Sequence, residues 1–463
     1  MSSVFPPEIL REIMRSATLV TEAFDTRMTS ILHEHRGAVY ASIYASLATK
    51  RTLSLVSRQF HALATEFLYE ILVIRSYRHL FPLLKLLREC DADPTRGWWV
   101  RRIDLDLSVD EYEGQGWAWG RDTLFGLVPS CPNLEVLIAS IVTPCGAHGR
   151  HFIPLSADAF AVPTNLLKCI IACCASLRRL EILGQMAVNA DEAEMVVGCL
   201  PRLEAARFSS LCEPRTQSAV FDADSEGAPV DPSHSSFKAL VKSFTSPSWP
   251  TPTMPNTSSP LHTLDCGEFI PGITNWTLSL PSLRLLNARL SRWTGPTQLP
   301  TLRLTIRSPT SPFITLTHLV HCGPPFNVWS LLDSLPLLQW LSLDFPRGVH
   351  RTTTAIPPGS TPHAHLAHLI LLRESALQSD SHSPLHAFPR SVLQARKDAL
   401  LPALASIQLA GLMDVINAGR IEYVWALQED FRKEGIRVQI GSDPGYGEYE
   451  RGATVWANYG GRG

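Results

Sequence analysis

The sequence predicts an α/β protein, a short helical unit followed by a solenoid of parallel strands backed by helices. Three observations predict it. Over about the first 70 residues the apolar positions recur at helical spacing. Beyond residue 100 a six-residue signature returns at irregular intervals, reading apolar, two variable, apolar, one variable, apolar. Proline is abundant, 35 of 463 residues against an average of about 5%, which implies many chain reversals.

Composition bounds the function before any motif does. A net charge of −2 gives no global pull toward nucleic acid or an anionic membrane. No apolar run reaches the roughly 18 residues of a membrane span, and Glu8, Arg11, Glu12 and Arg15 stand where a secretory leader would be apolar. An intracellular protein is therefore expected, cytoplasmic or nuclear. Its 10 cysteines, without repeated spacing, are expected to be mostly reduced thiols.

The elements follow in order. Pro6-Pro7-Glu8 suits a helix start, because proline fits the first helical position and an acid favours the positive end of the helix. Ile9, Leu10, Ile13, Met14 and Ala17 then share a face. A second helix is expected over about 37–47, with Val39, Ile43 and Leu47 spaced by four. A third is expected through Leu53, Val56, Phe60, Leu63 and Phe67, and Ile71 to Ile74 is expected as a strand. Residues 1–70 are thus read as a helical domain and 71–99 as a connecting segment.

The repeats are read over 100–441. Their signatures begin at Val100, Leu134, Leu177, Leu203, Leu261, Leu283, Leu316, Leu338, Leu366 and Leu404, with an overlapping run at Leu299. Prolines such as Pro132, Pro201, Pro281 and Pro336 precede several copies, where they would end a helix and turn the chain into a strand. One unit cannot bury its apolar side alone, so the units are expected to stack. Leu180, Leu264, Leu286, Leu341 and Leu369 are expected to lie in the core. Residues 212–260 hold 8 Pro, 10 Ser and 5 Thr and read as a flexible insertion. Loops are expected near 347–363 and 374–390. A last helix through Leu427 and Phe431, a cap at Gly435 and a strand at Ile436-Val438-Ile440 close the array. Residues 442–463 read as a disordered tail.

Two segments of the helical unit carry a resemblance. Phe5-Pro6-Pro7-Glu8-Ile9-Leu10-Arg11-Glu12-Ile13 resembles the opening of an F-box, usually Leu-Pro-x-Glu-Ile/Leu. Leu53-Ser54-Leu55-Val56-Ser57-Arg58-Gln59-Phe60-His61-Ala62-Leu63 resembles its third helix. With the irregular leucine-rich units behind them, the chain is similar to F-box/leucine-rich-repeat proteins. The two segments stand about twice as far apart as in that family, so residues 16–48 should hold an insertion or a longer helical excursion, and Phe5 replaces the usual leucine. The resemblance implies a substrate-recognition subunit of a Skp–cullin–F-box ubiquitin ligase. Its adaptor-binding patch would comprise Phe5, Pro6, Pro7, Ile9, Leu10, Ile13, Leu55, Val56 and Phe60, and its repeats would hold a target protein. The alternative is a repeat scaffold for protein interaction without a ligase role.

Within each signature the single variable residue should face away from the leucines. That aligns Asp104, Ile138, Glu181, Arg207, Asp265, Asn287, Val320, Ser342, Ile370 and Gln408 in a row expected to face solvent. From it Asp104, Glu181, Arg207, Asp265, Asn287, Ser342 and Gln408 are taken as the target-binding residues. The mixed chemistry of the row suits a protein partner better than nucleic acid, which would call for a basic stripe.

No enzyme is expected, and no cofactor or metal. His363, His365 and His368 have the His-x-His-x-x-His spacing of metallo-β-lactamase-type hydrolases, but Ala367 stands where those place an acid, and Leu366, Leu369 and Leu371 make the segment a repeat strand. Cys169 and Cys173 lie one helical turn apart with no second pair or nearby histidine, which reads as buried thiols. No phosphate-binding loop or nucleophile elbow occurs.

Overall fold

The computed structural model describes residues 6–26, 36–88, 96–108, 126–142, 162, 164–212, 259–269, 282–290, 318–322, 328–345, 356, 360–373, 384–410 and 421–441. The chain divides into two compact units, one ending at Thr257 and the other starting at Ser258. Phe5, the bulk of the Pro/Ser-rich segment, the run from Leu299 to Leu304 and the 442–463 tail lie outside the described residues.

The first unit opens with α1 (Pro7–Thr18), whose first turn carries Pro7 and Glu8 as the sequence predicts. A short 3-10 turn, Thr21–Phe24, leads toward α2 (Arg36–Ser54), and α3 (Arg58–Glu70) follows after a tight turn. The stripe from Leu53 to Phe67 predicts a single helix, but the chain breaks at Leu55–Ser57. The Ser57 hydroxyl accepts the Phe60 N–H at 3.2 Å, and this N-cap stops α2 from running on into α3. Leu53 therefore ends one helix, Val56 sits in the turn, and only Phe60, Leu63 and Phe67 share the next helix. Leu10, Met14, Leu63, Ala64 and Phe67 form the core of this three-helix group. Lys50 is buried and its ammonium lies 3.3 Å from Glu70, tying α2 to the end of α3. Burial pulls the Lys50 pKa down, and the Glu70 charge only partly offsets it.

The sheet of this unit begins earlier than the sequence predicts. The expected connecting segment contains β1 (Ile71–Ile74) and α4 (Tyr77–Arg88), and β1 pairs in parallel with β2 (Arg102–Ser108), Leu72 opposite Ile103. Next come β3 (Val136–Val142), α5 (Thr164–Cys173), β4 (Arg179–Asn189), α6 (Ala190–Cys199) and β5 (Ala205–Cys212). All pairings are parallel and follow chain order. The signatures align in register, Ile103 opposite Leu137, Leu137 opposite Leu180 and Leu180 opposite Ala206. These side chains alternate with the outward row, as the twofold strand period requires, and α6 packs against β4 and β5. Asn189 caps α6, its side-chain oxygen accepting the Asp191 N–H at 2.9 Å.

The second unit repeats the plan. Its strands are β6 (Thr263–Phe269), β7 (Leu285–Leu290), β8 (His318–Cys322), β9 (Trp340–Phe345), β10 (His368–Arg373), β11 (Ser406–Ala410) and β12 (Arg437–Gly441). Between them lie α7 (Val328–Ser334), α8 (Pro384–Lys397) and α9 (Ile421–Lys433). Leu264 opposes Leu286, and the line continues through Leu319, Leu341, Leu369, Ile407 and Val438. Leu180, Leu264, Leu341 and Leu369 are buried as expected, while the Leu286 side chain is outside the described residues. The expected loop at 374–390 gives way to α8 at Pro384, a residue at home in a first helical turn. Gly435 follows α9 at φ 74°, the left-handed cap that the sequence predicts. Among the described residues no helix is long and apolar enough to cross a membrane.

Candidate protein-interaction surfaces

The helical unit presents apolar side chains at both motif segments. Ile9 is 48% and Ile13 54% exposed on α1, and Leu55 is 84% and Val56 61% exposed at the turn between α2 and α3. Pro6 and Pro7 are exposed beside them. Two members of the expected adaptor patch belong elsewhere. Leu10 points into the three-helix core, and Phe60 packs half-buried against the same core. The reason is helical geometry: Ile9 and Ile13 share one face, while Leu10 and Met14 share the neighbouring face that meets α3.

The outward row requires a correction. Its members align from strand to strand as expected, Asp104 opposite Ile138, Ile138 opposite Glu181 and Glu181 opposite Arg207. In the first unit they do not face solvent. Asp104 is 0% and Glu181 1% exposed, and Arg207 and Ile138 are buried with them. Asp265, at the head of the row in the second unit, is buried too. Gln408 is half-exposed, and the Asn287 and Ser342 side chains lie outside the described residues.

In the first unit the cover comes from the N-terminal segment. Residues 20–26 cross the outward face of the sheet as a strap. Arg102 on β2 donates from one guanidinium nitrogen to the Ala23 carbonyl, while Nε and Nη2 hold Asp104 at 2.9 and 2.8 Å. Burial works against the Arg102 charge, but the Asp104 charge and hydrogen bonds outweigh it and raise its pKa. Arg179 on β4 repeats the device, with Nη1 donating to the Asp25 carbonyl at 2.8 Å and Nε to Glu181 at 2.6 Å. Between them β3 carries no charge. There Phe24 packs on Val136 and Ile138, with Leu183 of β4 alongside. The Thr26 hydroxyl donates to Glu204 just ahead of β5. Val20 and Ala23, with Ile43 of α2, pack over Ile71 at the start of β1. Sequence reasoning placed an insertion here but had no means of saying where it folds back.

A second feature also escaped the sequence reading. The residue just before each strand of the first unit alternates in sign: Glu70, Arg101, Glu135, Arg178 and Glu204. Arg101 meets Glu70 at 3.2 Å and Glu135 at 2.7 Å, and Arg178 meets Glu204 at 2.8 Å. The hydrogen bonds from Arg101 to Glu135 and from Arg178 to Glu204 raise both arginine pKa values. The Arg101 guanidinium also lies 4.5 Å over the Phe24 ring, so ladder and strap share a residue. A cavity of about 720 Å³ borders the ladder, with Arg15, Phe67, Trp98 and Arg202 among its walls. The ladder was legible in principle, as a sign alternation locked to the strand repeat.

His363 is buried; its Nδ1 accepts the Leu366 N–H at 3.1 Å, so the ring hydrogen sits on Nε2, which donates to the Leu335 carbonyl at 2.8 Å. His365 is exposed, and the His368 ring meets the Ser406 hydroxyl at 2.7 Å. Among the described residues no group of three His, Cys, Asp or Glu is placed to hold a metal ion. Cys131, Cys169 and Cys174 are buried, while Cys173, expected to be buried with Cys169, is only half-buried, and burial pushes the Cys131 thiol up to about 12.

No protein-family model matches the chain, and no curated protein matches it. Among solved structures it is similar to an internalin from Listeria monocytogenes, at 12% identity and a TM-score of 0.26, over 69% of this chain and 79% of that one. The repeat architecture accordingly rests on the strand order and register of the chain itself.

Proposed function

We propose that the chain is a target-recognition subunit of a Skp–cullin–F-box type ubiquitin ligase, its helical unit docking the adaptor and its repeats holding a target protein. One observation carries the reading. A helical group with its own filled core still turns Ile9, Ile13, Leu55 and Val56 outward, at the two segments that resemble an F-box. Burying such side chains in a partner groove contributes about 1.5–3 kcal/mol each before the costs of association.

The expected result is that Ile9→Asp with Ile13→Asp lowers capture of a Skp-type adaptor at least tenfold, with the far-UV circular dichroism and melting temperature of the chain unchanged. Leu10→Asp is the contrast, because it strikes the core and should unfold the helical unit. Wild-type adaptor capture by the double variant would remove the ligase reading and leave a repeat scaffold for protein interaction.

A further inference from the structure

The contact between the strap and the sheet joins two kinds of interaction: Val20 and Ala23 pack in a small core with Ile43 and Ile71, while toward β2 to β5 the strap is held much as a bound peptide would be. The leucine face of β2 to β5 is apolar, whereas the face under the strap carries Asp104, Glu181 and Arg207, all buried. Four consecutive strap residues meet successive strands: Ala23 at Arg102 of β2, Phe24 at Val136 and Ile138 of β3, Asp25 at Arg179 of β4, and Thr26 at Glu204 before β5. Two of the four contacts go to main-chain carbonyls, those of Ala23 and Asp25. The other selections are a small side chain, since Ala23 has no exposed surface, an aromatic ring and a hydroxyl.

The receiving groups are held from within the sheet as well as by the strap. Arg102 is held by Asp104 and Arg179 by Glu181 on their own strands, so withdrawing the strap leaves each guanidinium with its carboxylate. The strap itself has a single four-residue 3-10 turn, with Thr21 and Glu22 exposed. A preorganised face under an irregular segment is what exchange of one peptide for another requires.

We propose that the outward face of β2 to β5 is a peptide-reading surface for an extended segment of a target protein that resembles Ala23-Phe24-Asp25-Thr26, with a small residue, an aromatic ring and a hydroxyl at the first, second and fourth positions. Residues 20–26 occupy it in cis, and a target segment of the same chemistry replaces them. This deepens the reading of the repeats as a target-binding surface and does not depend on adaptor docking.

The test uses the full chain and a fluorescent peptide with the sequence of Thr18–Thr26. In one protein variant Val20–Thr26 is replaced by a Gly/Ser linker of equal length. Fluorescence polarisation should show the linker chain binding the peptide at least tenfold more tightly than the wild-type chain, whose site is filled. A peptide carrying Phe24→Ala, and a linker chain carrying Ile138→Glu, should each lose at least tenfold. Equal binding to the linker and wild-type chains, or undiminished binding of the Phe24→Ala peptide, would overturn the proposal. A linker chain that fails to fold would overturn it as well, because the strap would then be an obligate part of the core. No adaptor is present in the assay, so its failure leaves adaptor docking untouched.

Discussion

Replacing Asp104 by alanine is expected to cost about 3–5 kcal/mol of unfolding free energy, the range for breaking a buried ion pair from one side. Both side chains of the pair are covered, Arg102 at 3% and Asp104 at 0% exposure, and they meet at 2.8 Å. Removing Asp104 leaves a guanidinium out of water with one backbone carbonyl, that of Ala23, as the partner this pair's geometry provides. The loss should appear as an earlier midpoint in urea denaturation followed by tryptophan fluorescence. The paired change Arg102→Leu with Asp104→Leu should recover most of it, because it removes both desolvated charges together. A loss below about 1 kcal/mol for Asp104→Ala would mean that water reaches the face beneath the strap.

Leu180→Ala is expected to cost about 2–5 kcal/mol, the span measured for leucine truncations that leave a cavity. Leu180 has no exposed surface and stands between Leu137 and Ala206 in the strand register. Its small neighbour leaves little side chain able to move into the space, which argues for the upper half of that range. Leu55→Ala, at an exposed turn, is the control and should change stability by less than about 0.5 kcal/mol. Equal losses at the two positions would contradict the assignment of the leucine signature to the core.

The parts of the fold that depend on local pattern were legible in the sequence. The second and third positions of each of the ten signatures lie on a strand, and the buried leucines there follow from a twofold period. The cap at Gly435 and the start of α1 were readable for the same reason, since both depend on residues within one turn. The break at Ser57 was misread because an apolar stripe of period 3.6 runs across it, and a single serine hydroxyl decided the boundary. The candidate target-binding row failed on a different ground. Strand alternation correctly said that Asp104 and Glu181 turn away from the leucines. Whether the far side is wet depends on a segment about 80 to 160 residues away in sequence, and no local pattern records such a contact. The charges themselves were a sign: an Arg-x-Asp and an Arg-x-Glu at equivalent positions of alternate strands are more than a solvated surface needs.

The alternation of Glu70, Arg101, Glu135, Arg178 and Glu204 bears on how such an array can gain or lose repeats. Charge at this position has a period of two strands, whereas the leucine core has a period of one. Excising a single unit, from Arg101 to Leu134, would leave the core register intact but set Glu70 beside Glu135, like against like. Excising two would restore Glu70 beside Arg178. Each contact is partly exposed and contributes only about 0.2–1 kcal/mol, so the bias per event is modest, but it always points the same way. In this part of the chain, unequal recombination that moves units in pairs yields a consistent ladder, and recombination that moves one unit leaves a like-charge step at the junction.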